Sequence, residues 1–209
     1  MYQPPHFREE RREVLESLIR NHPLATLVTL SPDGLEANHI PMLLDAGRGP
    51  LGVLMAHIAK ANRSAEAHDQ SRDVLAIFQG EDHYITPSWY AAKQEHGKVV
   101  PTWNYAVVHA HGRLSVIDDE EWLLSQITAL TARHEQPRAR PWQVADAPAP
   151  FVRAQMKGIV GIEIEITRLE GKWKVSQNRA QADRDGVISG LIAEDGGASR
   201  MAALVNERS

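Results

Sequence analysis

The chain has 209 residues, 43% of them hydrophobic and 24% charged, with a formal net charge of −4 and no cysteine. That length and apolar content suit one core domain with appendages, and the acidic balance lacks the broad positive field that nucleic-acid or anionic-membrane surfaces attract. Without cysteine there are no disulfides, thiolate nucleophiles or cysteine-ligated metal centres, so any redox chemistry needs a bound cofactor.

The start, Met1, Tyr2, Gln3, Pro4, Pro5 and His6, runs straight into charge, with no apolar stretch of signal-peptide length, which reads as a cytoplasmic protein. Val14, Leu15, Leu18 and Ile19 fall on one stripe and predict a helix over 7–21, stopped by Pro23. Residues 25–30 and 36–44, joined by Ser31, Pro32, Asp33 and Gly34, predict an antiparallel hairpin. Pro41 has no amide donor, so its strand belongs at an edge or beside a ligand.

A third strand is expected at 51–56, followed by a turn and a short helix reaching His68. A helix start with free backbone donors, joined by Lys60, Asn62 or Arg63, is a corner that suits a phosphate. Further strands are expected at 74–78, 103–111, 113–117, 159–167 and 173–176, a count that suits a closed sheet. Asp118, Asp119, Glu120 and Glu121 cap a helix that buries Trp122, Leu123, Ile127 and Leu130. Residues 136–150 read as a connection, and a short helix over 152–157 stops at Gly158. The tail over 180–209 is helical in pattern at Val187, Ile188, Leu191 and Ile192, weakened by Gly190, Gly196 and Gly197, and is expected to order against the barrel or a partner subunit.

Two aromatic clusters stand out. Tyr84, Pro87, Ser88, Trp89 and Tyr90 lie ahead of Pro101, Thr102, Trp103, Asn104 and Tyr105, and such segments suit a wall for a flat ligand. Trp89 and Trp103 either stack on a ring or fill the barrel end; the polar Thr102 and Asn104 favour a site. Ser176, Gln177, Asn178 and Arg179 end a strand with four hydrogen-bonding side chains. His39 and His57 read as histidines satisfied by a neighbouring carbonyl. His109 and His111 alternate onto one strand face, but no His-Glu-x-x-His helix accompanies them, so no metal site is assigned. No Ser-His-Asp order, paired-carboxylate spacing or phosphate-binding glycine loop of the triphosphatase kind is present.

Taken together, Asn38-His39-Ile40-Pro41, His57-Ile58-Ala59-Lys60-Ala61-Asn62, Tyr84-Ile85-Thr86-Pro87-Ser88-Trp89-Tyr90, Val100-Pro101-Thr102-Trp103-Asn104-Tyr105 and Lys174-Val175-Ser176-Gln177-Asn178-Arg179 resemble the PaiB-type FMN-binding negative transcriptional regulators. The resemblance implies an α+β fold dominated by β, a split β-barrel with peripheral helices over 1–180, and a homodimer holding FMN. It also implies a pocket drawn from Asn38, His39, Ile40, Pro41, His57, Ile58, Lys60, Asn62, Ser88, Trp89, Thr102, Trp103, Asn104, Ser176, Gln177 and Asn178. Glu81 and Asp82 depart from the neutral turn the pattern usually has before the tyrosine cluster. No helix-turn-helix with a basic second helix can be drawn, so repression through DNA is direct or indirect. The alternatives are an FMN-dependent oxidoreductase using NAD(P)H and a haem-binding or haem-degrading split barrel.

Overall fold

The structure, a computed structural model, describes residues 1–62, 69, 71–194 and 198–208. The expected helix up to His68 and the expected role of Arg63 lie outside those residues. Eight strands form one antiparallel sheet in the order β3-β2-β6-β7-β8-β5-β4, with β1 paired to β8. The strands are β1 (Arg8–Glu9), β2 (Leu24–Ser31), β3 (Gly34–Pro41), β4 (Leu43–Asp45), β5 (Val53–Ala59), β6 (Val74–Ile85), β7 (Thr102–Ile117) and β8 (Ile159–Lys174). The helices are α1 (Arg12–Asn21), α2 (Ala92–Glu95), α3 (Glu120–Glu135), α4 (Ala149–Met156), α5 (Gln181–Ala193) and α6 (Ala198–Glu207). The expected α+β split-barrel class is borne out.

The chain divides into two compact units, one of residues 1–18, 79–108 and 170–209 and the other of 19–78 and 109–169. In the second unit the β2–β3 hairpin has the expected register, Ser31 opposite Gly34 and Leu24 opposite Pro41. Its two-residue loop closes onto Gly34, whose φ of +117° only glycine adopts without strain. β3 is the end strand of the sheet, so Pro41 does stand on an edge. Ala25, Leu27, Leu54, Phe78, Ile162 and Ile164 are buried in this unit. Each side chain of leucine or isoleucine size contributes about 1.5–3 kcal/mol on burial.

Two pairs of expected strands are single long ones. Gly112 does not break β7, because a Cβ there would run into the Glu165 carbonyl of β8, so the glycine permits close strand approach. Gly171 plays the same part in β8, where Leu15 and the Glu9 carbonyl occupy the space. The first helix starts later than its pattern suggested. Residues 5–7 form a 3-10 turn and Arg8–Glu9 pair with Lys172 and Gly171, so α1 opens at Arg12.

In the first unit the tail forms α5 and α6, with Val187, Leu191, Met201, Ala202 and Val205 buried. Within the second unit, α3 is capped by Asp119, whose carboxylate accepts from the Trp122 amide at 2.7 Å. Leu123 and Gln126 are its most buried positions, while Trp122, Ile127 and Leu130 are half-buried.

Candidate functional site

The expected site residues fall into two groups, one in each unit. In the second unit, Asn38 and Asn62 are brought together: Asn62 Nδ2 donates to Asn38 Oδ1 at 2.9 Å. His39 is exposed on the same strand, Pro41 is exposed, and Ile40 turns inward at 5% exposure as a core residue. Among the described residues no further strand pairs with β3. His57 Nδ1 lies 2.8 Å from Gln126 Oε1, and since a carbonyl only accepts, Nδ1 carries the proton there. The satisfied histidine expected at this position is what the structure contains, with a side-chain amide in place of a backbone carbonyl. Ile58 is buried opposite Val160. Lys60 Nζ donates to Asp118 Oδ1 at 3.0 Å with both side chains largely exposed.

The first unit holds the aromatic clusters. Pro87–Trp89 is a 3-10 turn capped by Thr86, and Lys93 Nζ donates to Ser88 Oγ at 3.1 Å. Trp89 lies against α5 where Gly186 and Gly190 leave room for it, and its ring stacks with His83 at a centroid distance of 6.3 Å. Tyr90 is a core residue, covered by the Arg179 guanidinium 4.6 Å from the ring centre. Trp103 and Tyr105 lie on β7, within the strand expected over 103–111. Trp103 stays 54% exposed and meets Tyr84, 45% exposed, edge-on at 6.1 Å.

Asn104 and Ser176 are both buried and bonded to each other, Asn104 Nδ2 to Ser176 Oγ at 3.0 Å and Ser176 Oγ to Asn104 Oδ1 at 3.2 Å. Gln177 folds back onto its own strand, accepting from the Val175 amide at 2.7 Å and donating to the Trp173 carbonyl at 2.5 Å, while Asn178 is exposed. Glu81 and Asp82, the acids that depart from the family pattern, are engaged by Arg200 at 3.2 Å and by Gln79 at 3.0 Å.

The sequence pattern assigns Lys172 no role, and Lys174 enters only within the motif that ends at Arg179. Lys174 Nζ donates to Thr102 Oγ1 and to the Trp103 carbonyl. Burial, then the neighbouring charges of Lys172 and Arg179, pushes its ammonium below the usual lysine range. Lys172 is 8% exposed, its Nζ held 5.6 Å from the Tyr2 ring centre and 5.4 Å from that of Tyr105. The signal was there to read, in two lysines spaced i, i+2 about Trp173 on a strand.

A flavin mononucleotide needs an apolar wall for its ring, hydrogen-bonding groups at the ring's polar edge and cations for its phosphate. The first unit has half-exposed aromatic rings, the polar Thr102, Ser88 and Asn178, and lysines at 172 and 174 with no carboxylate at ion-pair distance among the described residues, so the donor chemistry fits. The family model described as "Putative FMN-binding domain" matches residues 1–168. The chain belongs to that FMN-binding family. FMN is the cofactor this assigns.

The PaiB-type resemblance is also borne out by a relative. The protease synthase and sporulation protein PAI 2 of Bacillus subtilis is 29% identical, covering 100% of this chain and 98% of its own length. Protein AN0679 of Emericella nidulans is 39% identical over 96% of this chain and 94% of its own. Among solved structures, the Mycobacterium tuberculosis protein Rv2991 superposes with a TM-score of 0.59 at 14% identity, covering 87% of this chain and 95% of that one. The FAD and heme binding protein of Mycobacterium smegmatis gives 0.57 at 17% identity, with 80% and 73% covered. At such identities the likeness is one of fold. No helix among the described residues is long and apolar enough to cross a membrane.

Proposed function

We propose that this protein is a cytoplasmic FMN-binding regulator of the PaiB type, acting negatively on transcription in response to flavin occupancy or redox state. The observation that carries the reading is the FMN-binding family match over residues 1–168 on a chain whose first unit presents an open Trp103–Tyr84 ring pair. When bound, the isoalloxazine ring supplies the capacity to take up and release electrons. The chain's own part is to hold the ring against apolar side chains and to offer hydrogen bonds at its edge.

Repression through this chain is indirect. A recognition helix needs free cations along one face. In α1, Arg12 is bonded to Glu16 at 2.6 Å, and in α6, Arg200 is held by Glu81 at 3.2 Å. Homodimer formation is supported by exposed leucines of the β2–β3 hairpin, where Leu30 and Leu35 stand opposite each other and Leu24 is exposed near the other end.

The test is a visible spectrum with added FMN, followed by anaerobic NADH titration and retention of promoter DNA at several salt concentrations. The regulator reading predicts a retained flavin that NADH does not bleach. Rapid bleaching with turnover on an acceptor would replace it with the oxidoreductase reading, and a Soret band on adding hemin without flavin uptake would replace it with a haem protein. Salt-sensitive DNA retention by the pure protein would overturn the indirect route.

A further inference from the structure

On α3, Leu124, Thr128, Thr131 and Ala132 share one face at helical spacing. The other wall is made by Trp142 and Val144 of the connection and by Val152, Arg153 and Met156 of α4, and the two walls border an open cavity of about 790 Å³. That volume lies within the roughly 300–1,000 Å³ that small-molecule pockets occupy. All of it belongs to the second unit, and none of the expected flavin residues lines it.

The hollow follows from side-chain size. Ala132, Ala145, Ala147 and Ala149 stand on its walls, where leucines would reach into the space. Left unfilled, it keeps Leu124 44% exposed and Trp142 47% exposed, and their apolar surface leaves water only when something else enters. Arg153 supplies the polar contact. Its guanidinium has no acid or other hydrogen-bond acceptor among the described residues, and it presents a planar fork of donors that matches a carboxylate. Glu120, the acid on the lining, lies in the first turn of α3, where the positive end of the helix favours it, and forms no ion pair with Arg153.

We propose that this groove is a second ligand site, which binds a small organic acid with its apolar body against Trp142, Leu124 and Met156 and its carboxylate on Arg153. The site is independent of the flavin reading. An alcohol of the same body would fill the groove but forgo the charge-assisted hydrogen bonds to the guanidinium, so the acid is the better occupant.

The test uses the full chain labelled with 13C in its methionine methyl groups, titrated with decanoate or decan-1-ol, with and without saturating FMN. The Met156 resonance, assigned through Met156→Leu, should move with either ligand. Decanoate should bind on the order of tenfold more tightly than the alcohol, and FMN should leave that affinity unchanged. Arg153→Met should bring the two ligands level. Ala132→Leu, at an exposed helix position, should weaken both by filling the groove while FMN uptake stays as it was.

A Met156 resonance that decanoate does not move, or a preference for the acid that survives Arg153→Met, would overturn the site. Equal affinities in the unaltered chain would remove the acid as its ligand. Displacement of decanoate by FMN would make the groove the cofactor's own pocket, and loss of self-association in Ala132→Leu, read by sedimentation velocity, would assign it to a second copy of the chain; either result defeats the proposal. Should Ala132→Leu disturb the fold, Arg153→Met, which alters an exposed side chain, decides alone.

Discussion

Asn104 and Ser176 lie 72 positions apart and exchange two hydrogen bonds in a buried place, each side chain acting as donor and acceptor. Ser176 also sits at φ +66°, the left-handed region that a β-carbon disfavours. The backbone accepts that strain at the end of β8, where the hydroxyl meets the amide. Asn104→Leu should cost about 1–3 kcal/mol, since it orphans a buried hydroxyl, and should lower the melting temperature by roughly 2–4 °C per kcal/mol. Ser176→Gly relieves the backbone but removes the hydroxyl, so the two changes should couple in a double-mutant cycle by about 1 kcal/mol. Additive losses in thermal denaturation would mean that the pair does not act as one.

By sequence pattern Gly190 weakens the tail helix, and the structure gives it a different meaning. A Cβ at Gly190 would enter the Trp89 indole, and one at Gly186 the Trp89 carbonyl. Alanine for glycine inside a helix ordinarily gains about 1 kcal/mol. Here Gly190→Ala should instead destabilise by about 1–3 kcal/mol, the usual cost of overpacking, and should displace Trp89 from its contact with His83. Near-ultraviolet circular dichroism and tryptophan emission would register the displacement. A stabilised variant with an unaltered aromatic spectrum would show that Trp89 has room to move.

In the second unit, Glu163 ties a strand to a helix and a loop. Arg48 reaches it with two N–H groups at 2.6 and 2.8 Å, and the Trp122 indole N–H donates to it at 2.9 Å. The Arg48 hydrogen bonds, against the opposing effect of burial, hold the carboxyl below the usual range. Glu163→Ala leaves the indole donor without its acceptor and should cost about 1–3 kcal/mol, with a red-shifted Trp122 emission. Trp122→Phe loses the N–H together with part of the bicyclic ring that packs over Gly161, so its cost should exceed that of Glu163→Ala. Equal losses for the two would place the stabilisation in the hydrogen bond and not in the ring contact.

Local rules made the hairpin legible. Pro32, Asp33 and Gly34 fix a two-residue turn, and alternation then sets which face of β2 is buried. The capping run before α3 was equally plain, since Asp119 binds the Trp122 amide within its own turn. What escaped was everything that depends on a distant strand. Gly112 and Gly171 look like breaks until Glu165, Leu15 and Glu9 are seen filling the space beside them. Glu9 looks like one more charge in a solvated helix until its pairing opposite Gly171 buries it. At the site, the motifs located Asn104, Trp103 and Ser176, but the contacts of Lys172 and Lys174 depend on hydroxyls, carbonyls and rings far away in sequence. Spacing along one strand cannot supply that information.

Glu9 carries the clearest dependence on pH. It is 3% exposed, accepts from the Arg11 amide and guanidinium at 2.8 Å, and is bonded as well to Arg208 near the end of the chain. Burial alone would raise its carboxyl, but the hydrogen bonds from Arg11 and Arg208 outweigh it and bring the pKa down to about 2 from an ordinary 4.5. A group whose folded pKa lies below its unfolded one stabilises the fold at every pH above the unfolded value and loses that effect as pH falls through the folded one. A shift of this size corresponds to about 3 kcal/mol near neutrality. Glu9→Gln should therefore be less stable than the unaltered chain at pH 7 by a few kcal/mol, and the gap should close as pH falls from 4.5 towards 2. Arg208→Ala should lose part of the same dependence and free the last turn of α6, where the guanidinium also stands 5.8 Å over the Trp173 ring. Urea unfolding at several pH values, with amide exchange read over 198–208, checks both. A stability gap for Glu9→Gln that stays constant between pH 7 and pH 2 would show that its carboxylate is not what holds these elements together.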